Sequence, residues 1–169
     1  MTLPVIPCPA GLIARGFDLR PATAADEPAL RALYIAQRMP EFAPLPMPEA
    51  GKLMLLGQQY DMQRASYLSG HAGATFLALT KDGGLAGRLC LAGTGPDVAL
   101  LDILLDARWR GGGIGSALLA ALIEAAFADG HGVLLHVEKH NPALRLYQRL
   151  GFRVTGDAGA HWAMEARTG

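Results

Sequence analysis

Apolar positions fall into short alternating or continuous runs in the middle of the chain, and recur at three- and four-residue spacing on either side. Residues 75–80 (TFLALT) and 84–92 (GLAGRLCLA) read as strands joined through KDGG, a hairpin-turn sequence. Residues 98–106 (VALLDILLD) predict a further strand, 113–128 a helix and 132–138 (GVLLHVE) another strand. A helix over 141–150 starts with Asn141 as cap and Pro142 in its first turn, and 161–166 (HWAMEA) closes the chain as a strand. Upstream, 17–21 (FDLRP) predicts a short strand. Thr23 and Asp26 stand at capping distance before a helix over 24–37 that carries Leu30, Leu33 and Tyr34 on one face. The four prolines in 39–51 (MPEFAPLPMPEAG) predict a loop, and a second helix follows over 48–68 with Leu53, Leu56, Tyr60 and Tyr67 on one side. The resulting order, βααβββαβαβ, is an α/β layout with an antiparallel hairpin early and helix-linked strands later.

Composition narrows the function classes. A chain of 169 residues, 51% of them hydrophobic, suffices for one domain with a full core. Fifteen basic and fifteen acidic residues cancel, which argues against a nucleic-acid partner. The two cysteines, Cys8 and Cys90, make no disulfide framework and fit a reducing, cytoplasmic setting. No apolar run reaches membrane-spanning length, and the five scattered histidines show no metal-ligand spacing, so neither membrane nor metal is expected. Residues 1–16 (MTLPVIPCPAGLIARG), with three prolines, read as an irregular extension rather than a signal peptide, and 17–169 as a single domain.

The stretch LLDILLDARWRGGGIGSALLA poses the chemical question, because a strand ends there in arginines and glycines and then becomes a helix. Unpaired N–H groups at such a helix start, together with the helix dipole, make an anion site. Glycines let phosphate oxygens approach without a Cβ in the way, and Arg110 adds a guanidinium at the start of the turn. A plain glycine-rich connection is the competing reading. A P-loop would need a lysine before Ser116, and the dinucleotide fingerprint would need glycine where Leu118 stands, so both fail.

The spacing R-x-x-G-x-G is met by Arg110, Gly113 and Gly115. Here the chain resembles the GCN5-related N-acetyltransferase (GNAT) superfamily. NPALRLYQRLGF resembles the family's second signature through Ala143, Tyr147, Gly151 and Phe152, and LRPATAADEPALRALY its first strand and helix, so the likeness spans about 17–166. The resemblance implies a mixed, mostly antiparallel sheet flanked by helices, with splayed fourth and fifth strands. It implies acetyl-CoA as acyl donor, held by the loop Arg110, Gly111, Gly112, Gly113, Ile114, Gly115 and Ser116, with the pantetheine arm along the backbone of Ile103, Leu104 and Leu105. Seven residues before Tyr147 stands His140, with Asn141 one step later, so Asn141 either touches the cofactor or serves as a helix cap only.

The implied reaction is acetyl transfer to a primary amine of a small molecule or peptide by direct attack in a ternary complex. Tyr147 resembles the family's general acid toward the thiolate; packing on a helix face is its bland reading. Asp102 resembles a frequent base position, or else is a strand carboxylate paired with an arginine. His136 and Glu138 share one strand face by period two, and either could move protons or hold the amine, or simply be polar surface. His131 and His161 read as turn and strand surface. Six basic residues against three acidic ones between 108 and 153, Arg145 and Arg149 among them, set a positive excess around the loop. The resemblance implies an acceptor pocket within about residues 37–68 and 155–164, which offer Met39, Glu41, Phe42 and Met47 in the loop and Gln58, Gln59, Tyr60 and Gln63 on the second helix. Two alternatives remain: an acyl-CoA-binding regulatory module without turnover, and an interaction domain. The helix over 113–130, with only Ser116, Glu124 and Asp129 polar, suits burial in its own domain or a homodimer contact.

Overall fold

The computed structural model describes residues 2–71 and 73–168. A seven-stranded sheet runs in the order β1-β2-β3-β4-β5-β7-β6. Its strands are β1 (Phe17–Pro21), β2 (Thr75–Lys81), β3 (Gly84–Thr94), β4 (Asp97–Leu105), β5 (Val133–Glu138), β6 (Arg153–Ala158) and β7 (His161–Ala166). Neighbouring strands are antiparallel except β4 and β5, which are parallel. Among the described residues five α-helices accompany them: α1 (Ala10–Ile13), α2 (Glu27–Phe42), α3 (Glu49–Gly70), α4 (Ile114–Ala128) and α5 (Leu144–Arg149).

Side-chain alternation in β4 divides the core between the two faces of the sheet. Leu104 packs with Leu30 and Tyr34 of α2 and Tyr60 of α3 on one face. Ile103 and Leu105 pack on the other, against the clusters that contain Leu118, Leu119 and Leu122 of α4. The apolar circumference of α4 is thereby used within the domain: Ile114, Leu118, Leu119, Ala121, Leu122 and Ala126 are all buried.

Several boundaries depart from the sequence pattern. The helix expected to stop near Gln37 continues to Phe42 with Pro40 inside its last turn, where a missing N–H removes a single bond from a helix already ending. The helix expected from Asn141 begins at Leu144; Asn141 instead accepts from the Ala143 N–H through Oδ1 at 2.8 Å and caps the turn before it. Strand β6 was not signalled, since its residues lie at the sheet edge with almost no buried side. The segment before β1, expected to be irregular, contains the turn of helix α1. It buries Ile6 and Leu12, the latter against Ile114 and Leu118. The expected capping arrangement forms: Asp26 accepts from the Thr23 N–H at 2.7 Å and from the Thr23 hydroxyl at 3.0 Å.

Candidate active site

A break in strand pairing makes the site. Strands β4 and β5 pair only at Val98 with Val133, Ala99 with Leu134 and Leu100 with Leu135. Opposite this point Cys90 faces Asp102 and Leu91 faces Leu100, so Leu101 is an extra residue that bulges β4. Beyond the bulge β4 follows β3 while β5 follows β7, and the two strands part. The gap is a cleft of about 390 Å³. Leu101, Asp102 and Ile103 form one wall, and His136, Glu138, Asn141, Tyr147 and His161 form the other. Backbone groups of β4 that face this gap have lost their ladder partners and are open to a ligand's amides. The Tyr67 hydroxyl donates to the carbonyl of the bulged Leu101 at 3.3 Å.

The turn after β4 shapes a second hollow, of about 410 Å³, bordered by Trp109, Gly111, Gly113, Gly115, Ser116 and Arg149. Gly111 and Gly113 have φ of +75° and +76°, a region that side chains with a Cβ rarely enter. Gly113 caps α4, and the first helical bond runs from the Ala117 N–H to the Gly113 carbonyl at 3.0 Å. The N–H groups ahead of Ala117 therefore have no helical acceptor. Gly115 has neither a strained φ nor a crowded Cβ direction; an added methyl would meet only Leu105 Cδ1, at an ordinary 3.6 Å. Among the described residues nothing near this position requires glycine. Helix α5 links the hollows, with Leu146 and Arg149 beside the glycine cradle and Tyr147 in the cleft.

The expected residues thus divide three ways. Tyr147, Asp102, Glu138, Ile103 and Asn141 meet in the cleft, and Leu105, Arg110, Gly111, Gly113, Ile114, Gly115 and Ser116 surround the cradle. Leu104 turns its side chain into the α2–α3 core, and Gly112 lies off the lining, its carbonyl bonded to Arg15 Nη1 at 3.0 Å. Arg110 borders the cradle but donates elsewhere, from Nε to the Leu105 carbonyl at 3.0 Å and from Nη2 to Gln37 Oε1 at 2.9 Å. His161, read from the sequence as surface, lines the cleft beside Glu41 and Gln63 of the expected acceptor region.

Electrostatics centre on Arg88, only 1% exposed, which no sequence pattern singled out. It donates to Asp102 Oδ2 from Nη2 at 2.6 Å and from Nε at 3.1 Å, and to Gln63 Oε1 at 3.1 Å. Its guanidinium also stands 5.6 Å from the centre of the Tyr60 ring. Burial opposes the charged guanidinium, yet the charge and hydrogen bonds of Asp102 outweigh it and raise the pKa of Arg88. The arginine partner considered for Asp102 is present, and the carboxylate also lines the cleft. A lone arginine inside GLAGRLCLA was the available signal, since a central apolar strand holds a charge only with a partner. Tyr147 is buried against Phe152, ring centres 5.7 Å apart. Burial first, and the charge of Asp102 second, push its phenol up to about 12.

A protein-family model described as the acetyltransferase (GNAT) family matches residues 29–152. The chain belongs to the GNAT acetyltransferase family. Solved structures carry the same GNAT fold. PaiA N-acetyltransferase from Thermoplasma acidophilum, in complex with coenzyme A, superposes with a TM-score of 0.68 at 19% identity, covering 90% of this chain and 99% of that one. RimL, a ribosomal L7/L12 α-N-protein acetyltransferase in complex with coenzyme A, gives 0.65 at 21% identity, covering 96% of each chain. The putative acetyltransferase yncA from Salmonella typhimurium, with acetyl-CoA, gives 0.57 at 21%, covering 90% and 94%. No curated protein matches the sequence. Among the described residues no cluster of histidine, cysteine or acidic side chains is arranged to hold a metal, and no helix is long and apolar enough to cross a membrane.

Proposed function

We propose that this GNAT protein transfers the acetyl group of acetyl-CoA to a primary amine of a small molecule or peptide, by direct attack with both substrates bound. One observation carries the reading: α5 borders both hollows, with Leu146 and Arg149 beside the glycine turn and Tyr147 in the cleft, where β4 has parted from β5. The GNAT relatives with bound coenzyme A or acetyl-CoA support the same donor.

The residues fit that donor. The cradle N–H groups at residues 113–116 and the Arg149 guanidinium suit its diphosphate, and the backbone of β4 beyond Leu100, which has no β5 partner, suits the amides of its pantetheine arm. Within the cleft, Asp102 holds the acceptor ammonium by charge. Glu138 or His136, both exposed on the facing strand, takes the proton that frees the amine. The amine nitrogen bonds to the acetyl carbon as the carbon–sulfur bond breaks. Tyr147, protonated throughout the neutral range, stabilises the departing thiolate by donating a hydrogen bond. The nitrogen gives up its surplus proton as the amide forms, and the sulfur, with a reference pKa of about 8.5, takes up that proton through solvent, so CoA leaves as the thiol.

The test is a thiol-release screen with acetyl-CoA against amino acids, polyamines, aminoglycosides and peptides with free N-termini. Release of CoA thiol and an equal amount of acetylated amine is expected with at least one class. Binding of acetyl-CoA with no release from any of them would replace this reading with that of a regulatory module.

A further inference from the structure

We infer that Arg15, in the segment before β1 and outside the stretch matched by the family model, is a positioning residue for the phosphate cradle. The inference rests on the acetyl-CoA reading above. Arg15 Nη1 donates to the Gly112 carbonyl at 3.0 Å, across 97 residues of sequence. Gly111 and Gly113 line the cradle, whereas Gly112 and Arg15 do not, so this carbonyl points out of the hollow. A trans peptide sets its C=O and N–H in opposite directions. Fixing the Gly112 carbonyl outward therefore aims the Gly113 N–H inward, toward the anion.

Three consecutive glycines would otherwise sample many orientations and hold those donors poorly. The anchor that removes this freedom is itself held at both ends. Leu12, 3% exposed, packs against Ile114 and Leu118 in the first turns of α4, so the segment bearing Arg15 travels with the helix whose start forms the cradle. The Arg15 guanidinium stands 5.5 Å from the centre of the Phe17 ring, and Phe17 meets Trp109 of the cradle edge-on at 5.5 Å. A Cβ at Gly112 would come within 3.2 Å of Arg15 Nη2, so substitution on either side disturbs the same contact.

The experiment titrates CoA into the full chain by calorimetry, with NMR amide relaxation of residues 111–116 in the ligand-free protein as the readout of orientation. Arg15→Ala is expected to weaken CoA binding about fivefold, the ratio that corresponds to one net hydrogen bond, with increased motion of the loop amides and an unchanged unfolding midpoint. Arg15→Lys, which keeps a donor, should recover most of the affinity, and Gly112→Ala should weaken binding without adding to the effect of Arg15→Ala. Wild-type affinity in Arg15→Ala would overturn the inference, as would lost affinity with unchanged loop motion, which marks a direct contact instead. A wild-type chain that binds no CoA would overturn the acetyl-CoA reading, and this inference with it.

Discussion

Arg88 spends both of its hydrogen bonds to Asp102 on one oxygen, Oδ2, and among the described residues no other donor reaches that carboxylate. The pair joins the interior to the cleft, because Arg88 is buried while Asp102 lines the gap between β4 and β5.

That pairing predicts a stability effect large enough to measure. Asp102→Asn leaves a buried guanidinium without its anion, a change that costs about 3 kcal/mol in comparable sites. Urea denaturation should register this loss, and adding Arg88→Met should restore most of it. Equal destabilisation in the single and double variants would show that the pair is not coupled.

Tyr147→Phe keeps the ring against Phe152 and removes only the hydroxyl. Steady-state kinetics should show kcat lower by about 100-fold, with the KM for acetyl-CoA changed by less than about twofold. Because the phenol stays protonated until about pH 12, the residual activity should keep the wild-type pH profile across the neutral range. A variant with wild-type kcat would leave Tyr147 only a packing role.

Gly115→Ala separates what the fold needs from what the ligand needs. The added methyl has room and the backbone is helical, so the ligand-free protein should gain up to about 1 kcal/mol. The same methyl intrudes among the cradle donors, and calorimetry should find CoA binding weaker by about tenfold or more. Unchanged affinity would place the diphosphate elsewhere.

The turn that holds this glycine was legible because its requirements are local. Gly111 and Gly113 adopt positive φ, the donors come from the next few residues, and Arg110 is close in sequence. The Asn141 turn was legible for the same reason, its partner Ala143 lying two residues on. Other features depend on distant partners. Pairing Arg88 with Asp102 requires the bulge at Leu101, which no pattern in either strand displays. The contact of Arg15 with Gly112 joins residues too far apart for spacing to reveal. Strand β6 has no buried face and so left no alternation.

Acid should weaken the fold through two carboxylates, Asp26 in the turn between β1 and α2 and Asp97 at the start of β4, which holds Arg167. The Arg20 guanidinium and the Thr23 amide hold Asp26 below the usual carboxylate range; Arg167 and the Gly132 amide do the same for Asp97 against the opposing effect of burial. A carboxyl whose pKa is lower in the folded than in the unfolded chain binds fewer protons when folded. Its contribution is complete above the unfolded value of about 4 and drains away as the pH falls toward the folded one. Denaturation between pH 7 and pH 3 should show declining stability below about pH 4, with a shallower decline in Asp97→Asn. An equal slope in that variant would remove Asp97 from the account.

The central claim is that backbone N–H groups at the start of α4 clasp the diphosphate of acetyl-CoA. An amide-resolved NMR titration of the intact protein with CoA tests it most directly. The account predicts that the largest shifts fall on Gly113, Ile114, Gly115 and Ser116, with acetylpantetheine, which lacks the diphosphate, leaving them nearly unmoved. Saturable binding of CoA with those four amides unperturbed would contradict it.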